Sequence, residues 1–292
     1  MPRPDVALLG VKYRRIPIVS IGRDVYLDTR LCLEKLEQKF GPMSDFGPEL
    51  AALARLLQSV SLEGGLAKNA VRMIGANSPI MKDPAFLKDR ADLLEGVLVF
   101  TPESLALARP QAIAEIRNIV ELLETTLLAD GRDWLLNTKV PTLADMELWP
   151  LHWIFSGAGG FPADQISAAQ YPKAFAWLER FRKTMDTTMG ASPKPETVTG
   201  AQAVDLITTS AYDESEGQVD ENDELVKKLG LKKGQKVQLW PTDTASKYKD
   251  VGELVRLDYK EVVIEKATEK GAIRLHAPRQ SFTLRVYEGA SL

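Results

Sequence analysis

Tyr13-Arg14-Arg15-Ile16-Pro17-Ile18-Val19, followed by Gly22-Arg23-Asp24, Val25-Tyr26-Leu27 and Asp28-Thr29, is the stretch whose reading decides the fold. Residues 13–19 and 25–27 are rich in β-branched and aromatic side chains, and the Gly22-Arg23-Asp24 between them is a compact turn signal. The two runs read as a β-hairpin. Pro17 has no N–H to give a strand ladder, which suits either an edge strand or a cis turn that exposes neighbouring backbone groups. Asp28-Thr29 then opens a helix in which Leu33, Leu36 and Phe40 share one face, and Gly41-Pro42 stops it.

Outward from this hairpin the pattern changes to long helical periodicity. Leu50, Leu53, Leu57 and Val60 recur at helical spacing, and Ile113, Ile116, Val120, Leu123 and Leu127 repeat it. Thr101-Pro102 predicts an N-cap with proline at the first helical position, and Pro172 opens a last helix marked by Tyr171, Phe175, Leu178 and Met185. An all-α domain over 46–190 follows.

Periodicity is then lost. Ser192-Pro193-Lys194-Pro195, Asp213-Glu214-Ser215-Glu216-Gly217 and Asp220-Glu221-Asn222-Asp223-Glu224 predict an acidic linker over 191–224. From 225 to 292, Val237/Leu239, Leu254/Val255/Leu257, Val262/Val263/Ile264, Ile273/Leu275/Ala277 and Phe282/Leu284/Val286 are short, mostly alternating runs bounded by glycine and proline. They predict a small antiparallel β-sheet or barrel of about five strands. The fold class is therefore α+β and multidomain.

Composition narrows the function classes. The chain has 292 residues, 45% of them hydrophobic, which is enough for more than one buried core. A net charge of −3 gives no general attraction to nucleic acid or anionic membrane, and no run approaches the ~20 apolar residues of a membrane span. Lys227-Lys228, Lys232-Lys233 and Lys236 near Trp240 read as a solvated charged face beside the acidic segment. The single cysteine, Cys32, excludes an intrachain disulfide framework and fits a reducing, cytoplasmic setting. His152 and His276 are the only histidines, too few for a histidine-rich metal site, so no metal is expected. No P-loop, Rossmann fingerprint or Cys-x-x-Cys pattern is present.

Three places together resemble the glutathione S-transferase family, in a fungal type with a β-rich C-terminal extension, over roughly residues 10–187. Arg15-Ile16-Pro17-Ile18 is similar to the family's cis-proline loop, and Asp28-Thr29 to its acidic residue plus Ser/Thr. Thr142-Leu143-Ala144-Asp145 is similar to its Ser/Thr-x-x-Asp capping box, a folding element in which Thr142 and Asp145 bond each other's backbone N–H groups. The resemblance implies a partial thioredoxin-like domain over 1–45, lacking its first strand-helix-strand, which is expected to precede residue 1. It also implies that glutathione is bound by Ile16, Pro17, Asp28 and Thr29.

An anion suits the free amine of the γ-glutamyl group, and a helix N-terminus suits its carboxylate. Trp149 and Trp153, on a helix that Pro150 is expected to kink, are candidates for an apolar acceptor pocket. The family's catalytic Ser, Tyr or Cys is not assigned. Tyr13 begins the proline strand, and Cys32 is expected to pack against the sheet. The implied activity is conjugation of glutathione to a small electrophilic metabolite, or its use in isomerisation or elimination, by a protein able to pair as a homodimer. The alternative is a non-catalytic binding or scaffold protein of the same fold. Because the hairpin has no inner partner strand, an open edge is expected near residues 14–19.

Overall fold

In the computed structural model of the chain, residues 3–41, 47–75, 78–157 and 160–289 are described. Contacts divide the chain into two units. One comprises Met1–Gly41, Asp89–Leu98 and Glu196–Leu292, the other Pro42–Lys88 and Val99–Pro195.

The first unit is built on a seven-stranded sheet. Its strands are β1 (Ile18–Ile21), β2 (Asp24–Leu27), β3 (Lys236–Pro241), β4 (Asp250–Leu257), β5 (Glu261–Thr268), β6 (Gly271–Pro278) and β7 (Phe282–Val286), in the order β1-β2-β6-β5-β4-β3-β7. The hairpin and the five C-terminal strands are present, but the first hairpin strand is Ile18–Ile21 rather than 13–19, because residues 13–17 form the cis-proline loop instead of pairing. They do not stand apart, however, because β2 pairs in parallel with β6 (Val25 opposite Leu275, Tyr26 opposite His276). A two-stranded hairpin is marginal in water, and this pairing gives it a third strand and a shared core. β1 ends the sheet on its side, where an open edge was expected.

Period-two alternation explains the faces. Val25, Leu27, Val262, Ile264, Ile273, Leu275 and Ala277 point into one apolar cluster, joined by Leu9, Val11, Tyr13 and Val204. The opposite face carries Tyr26, which packs with Leu31 and Cys32.

Helices α1 (Pro4–Ala7), α10 (Gly200–Thr209) and α11 (Glu224–Leu229) contribute to the first of these faces, while α2 (Thr29–Phe40) covers the second. The buried residues of α2 are Leu31, Cys32 and Lys35, and Phe40 is exposed, so the helix is rotated away from the Leu33–Leu36–Phe40 face expected from spacing. The reason is that its neighbour is a partly charged sheet face, to which Lys35 contributes a cation.

The expected linker over 191–224 also differs. A Thr199–Gln202 capping box starts α10, whose Val204 and Thr208 are buried, and Asp223 caps α11 (Glu224–Leu229) by accepting from Leu225 N and Val226 N at 2.8 and 3.2 Å. Both helices are short and carry their start signal in the cap rather than in a long apolar period.

In the second unit lie α3 (Gly47–Ser61), α4 (Leu66–Arg72), α6 (Pro102–Leu122), α7 (Leu143–Glu147), α8 (Trp149–Ser156) and α9 (Pro172–Ala191), while α5 (Pro84–Leu93) straddles the division. Leu57, Ile113, Ile116, Val120, Leu123, Tyr171, Trp177 and Leu178 are buried together, as the helical spacing predicts. Thr101 caps α6 and Pro172 opens α9. Pro150 does not kink a continuous helix. Leu148, at φ −84 and ψ 28, ends α7, and Pro150 sits in the first turn of α8, where its missing N–H costs no helical bond. Among the described residues no helix is long and apolar enough to cross a membrane.

Candidate functional site

The segment leading into the hairpin is fastened at three points. Asp250, buried at the start of β4, accepts from Lys12 N and Tyr13 N at 2.8 and 3.1 Å and from Lys266 Nζ at 2.5 Å. Arg14 bonds Asp89 and Asp92, each at 2.5 Å, and Tyr248 Oη at 2.9 Å. Arg15 donates through Nη1 to both oxygens of Asp243, each at 2.8 Å, and through Nε to Tyr13 Oη at 3.1 Å. The Arg15 guanidinium also lies over the Tyr13 and Phe282 rings, 5.2 and 5.4 Å from their centroids, a cation–π seat. These anchors hold the loop that contains the cis Ile16–Pro17 peptide, with Ile16 67% exposed.

Across the hairpin, Asp28 rather than Thr29 is the N-cap of α2, and its Oδ1 accepts from Arg30 N at 3.2 Å. Asp28 Oδ2 lies 3.4 Å from Arg15 Nη2, which brings the carboxylate beside the proline loop. The Asp28 backbone is at φ 73, ψ 142, a region L-residues rarely adopt, with a cost of about 1–3 kcal/mol that the surrounding structure must offset. Such strain collects where a ligand is held. Of the residues named from the sequence, Ile16 and Thr29, the first helical residue, are exposed and Pro17 and Asp28 half-buried, and the Ile18–Leu27 pair sets the ends of the two segments side by side. Together they offer a carboxylate for an ammonium group, a helix N-terminus with a hydroxyl for a carboxylate, and an exposed backbone for an extended peptide.

The thiol and phenol nearest this group are not poised to act as nucleophile or base. Burial pushes the Cys32 thiol up to about 11, and its Sγ contacts Tyr26 O at 3.4 Å. Tyr13 is 2% exposed, and burial likewise raises its pKa.

In the helical unit, Thr142 and Asp145 close the capping box of α7. The fully buried Asp145 carboxylate accepts from Thr142 N and Leu135 N at 2.8 and 3.0 Å, from the Thr142 hydroxyl at 3.0 Å and from Trp177 Nε1 at 2.8 Å. That is a structural hub. Trp149 and Trp153 lie one turn apart on α8, 44% and 38% exposed. Two clefts are lined by other residues. One of about 230 Å³, beside Asn69 and Glu115, has those two groups bonded to each other at 2.5 Å. The other, about 370 Å³, runs past Asp220 and Asp258.

Sequence reasoning missed Arg15, Asp243 and Asp250, and with them the buried cluster of Asp24, Lys35, Glu261 and His276. Arg15 was visible as a cation next to the proline loop. Its partner Asp243, 228 positions away, carried no local signal.

A family described as a domain of unknown function, DUF7962, matches residues 69–189, within the α4-to-α9 region. No curated protein matches the chain. Among solved structures the chain is similar to a GST-like protein from Pseudomonas syringae, with a TM-score of 0.65 and 24% identity over 98% of this chain and 86% of that one. At that identity the likeness speaks for the fold: the chain has a GST-like fold.

Proposed function

We propose that the sheet unit binds glutathione and that the protein acts as a glutathione transferase-like enzyme on a small electrophilic metabolite. The observation that carries this reading is Asp28, held at a strained positive φ at the mouth of α2 with its carboxylate 3.4 Å from the arginine of the Ile16–Pro17 loop. In the proposed pose the γ-glutamyl ammonium pairs with Asp28. Its carboxylate takes the Thr29 hydroxyl and the positive end of α2, and the peptide runs along the backbone at Ile16. The exposed aromatic face of Trp149 and Trp153 suits an apolar acceptor. A cytoplasmic, homodimeric protein is the setting this reading implies.

A second reading, a glutathione-binding or scaffold protein without turnover, is favoured by one observation: burial keeps both Cys32 and Tyr13 protonated near neutrality.

Calorimetric titration with glutathione, run beside turnover of a generic aryl halide electrophile, separates the two readings. Saturable binding with turnover is expected for the enzyme, and binding without turnover for the scaffold. No heat at millimolar glutathione removes both. Asp28→Gly is the sharper variant, because glycine accepts φ 73 without strain while removing the carboxylate. A loss of at least about tenfold in affinity is expected from one lost charge-assisted bond. Thr29→Ala should weaken binding less.

A further inference from the structure

The polar face of the sheet, opposite the apolar cluster, carries Asp24 and Tyr26 from β2, Glu261 from β5, and Arg274 and His276 from β6. His276 is 1% exposed, Asp24 0% and Glu261 3%. Its two ring nitrogens meet two different carboxylates: Nδ1 lies 2.5 Å from Glu261 Oε1 and Nε2 lies 2.8 Å from Asp24 Oδ1. A neutral imidazole has one N–H and one lone pair, so one of these contacts would set lone pair against lone pair. Only the imidazolium donates to both.

The surrounding groups keep both carboxylates ionised. Asp24 Oδ2 accepts from Asp213 N and Glu214 N at 2.6 and 3.0 Å. Glu261 Oε2 accepts from Lys35 Nζ at 3.0 Å, with Arg256 Nη1 at 3.6 Å. Lys35, on α2, also contacts Glu214 at 2.5 Å, and Tyr26 Oη donates to Glu214 at 2.9 Å while its ring packs 4.6 Å from that of His276. Arg274 turns away to Glu214 O at 2.9 Å and stacks over Tyr212 at 4.0 Å. Donor atoms of Glu214, Glu261 and His276 lie within 4.8 Å of one another, close enough for a metal, but the Lys35 ammonium already sits against both glutamates. The cluster is complete with the cations the chain supplies.

We infer that His276 is a buried imidazolium clamp that locks β2 and α2 onto the C-terminal strands, and that losing its proton at alkaline pH loosens this segment. The clamp acts beside the apolar burial of Val25 and Leu27. β2 pairs with β6 over the register Asp24–Arg274 to Tyr26–His276, and α2 reaches the cluster through Lys35. Burial by itself would lower the His276 pKa, and the hydrogen bonds and charges of Asp24 and Glu261 outweigh it, holding the ring above the usual histidine range. The sign follows from linkage. A group whose pKa is raised on folding stabilises fully below its unfolded value of about 6.5, and that contribution is lost as pH rises through the folded pKa. The inference does not depend on glutathione binding, although Asp28 and Thr29 lie at the join of β2 and α2.

The test uses the full chain, whose two histidines make the spectrum simple. Long-range ¹H–¹⁵N correlation across pH 5–10 should show both His276 ring nitrogens protonated at pH 7.5, with one transition at higher pH. A neutral-tautomer pattern for His276 at pH 7 overturns the proposal. Native-state hydrogen exchange, corrected for intrinsic rates, should show protection of β2 and α2 amides falling about tenfold per pH unit between 6.5 and that transition. Amides of β3 and β4 should hold steady. Equal slopes in all these elements, or an unchanged slope in His276→Gln, overturn the clamp, and the ring-nitrogen spectrum decides the charge without any variant.

Discussion

Each unit holds one histidine, half-buried in the helical unit and buried in the sheet unit, and they leave it in opposite states. In the helical unit His152 donates from Nε2 to the Asp145 carbonyl at 3.0 Å and packs against the Phe181 and Trp177 rings, 3.9 and 4.5 Å between centroids. With no counter-charge, burial lowers its pKa to about 4. In the sheet unit His276 is at least as deeply buried, yet two carboxylates hold its pKa above the usual range. The carboxylate hubs differ in the same way. Asp145 is satisfied by amides, a hydroxyl and an indole, whereas Asp24 and Glu261 face an imidazole and an ammonium. Burial sets how costly a charge is. Partners decide whether the charge survives.

The contrast breaks most visibly at Asp145. Asp145→Ala strips acceptors from two backbone amides and the Trp177 indole inside the helical core, and should cost about 4 kcal/mol in chemical denaturation. In the sheet unit, Lys35→Met removes the nearer of the two cations that Glu261 and Glu214 share, leaving Arg256 Nη1 at 3.6 and 3.3 Å, and should cost about 3 kcal/mol, with hydrogen exchange accelerated first in α2.

Acid sharpens the comparison. His152 has a lowered folded pKa, so its contribution is present above about pH 6.5 and is lost as pH falls toward 4, worth about 3 kcal/mol. His152→Phe should flatten that limb of the stability curve, and an unchanged slope would reassign the acid sensitivity to other groups. Smallest is Asp28→Ala, which removes an N-cap and should lower stability by about 1 kcal/mol while, on the proposed function, weakening glutathione binding at least about tenfold.

Much of the helical unit was legible because its signals are local. In the Ile113–Leu123 spacing, the Thr101-Pro102 start and the Thr142–Asp145 box, the residues of each signal lie within a few turns of one another, and each signal reappears in the structure. Around the candidate site, the cis Ile16–Pro17 bond and the Asp28 helix start were also local features, and both are found. The rotation of α2 was not legible, since an apolar-face count has no means of preferring Lys35 over Leu36 as a buried residue. Nor were the helices over 200–209 and 224–229, each too short to show a sustained apolar period.

By itself the sequence determined the elements: two hairpin strands, a capped helix after Asp28, a block of amphipathic helices and five C-terminal strands. Each depends on contacts between neighbours in the chain, where hydrogen-bond period and side-chain alternation suffice. Only the tertiary structure decided that the hairpin joins those C-terminal strands in one sheet, that Asp243 and Asp250 hold the Arg15 loop, and that His276 lies between Asp24 and Glu261. Charge state in a protein interior depends on which ions are brought within about 3 Å, and here the partners lie up to 252 positions apart in the chain.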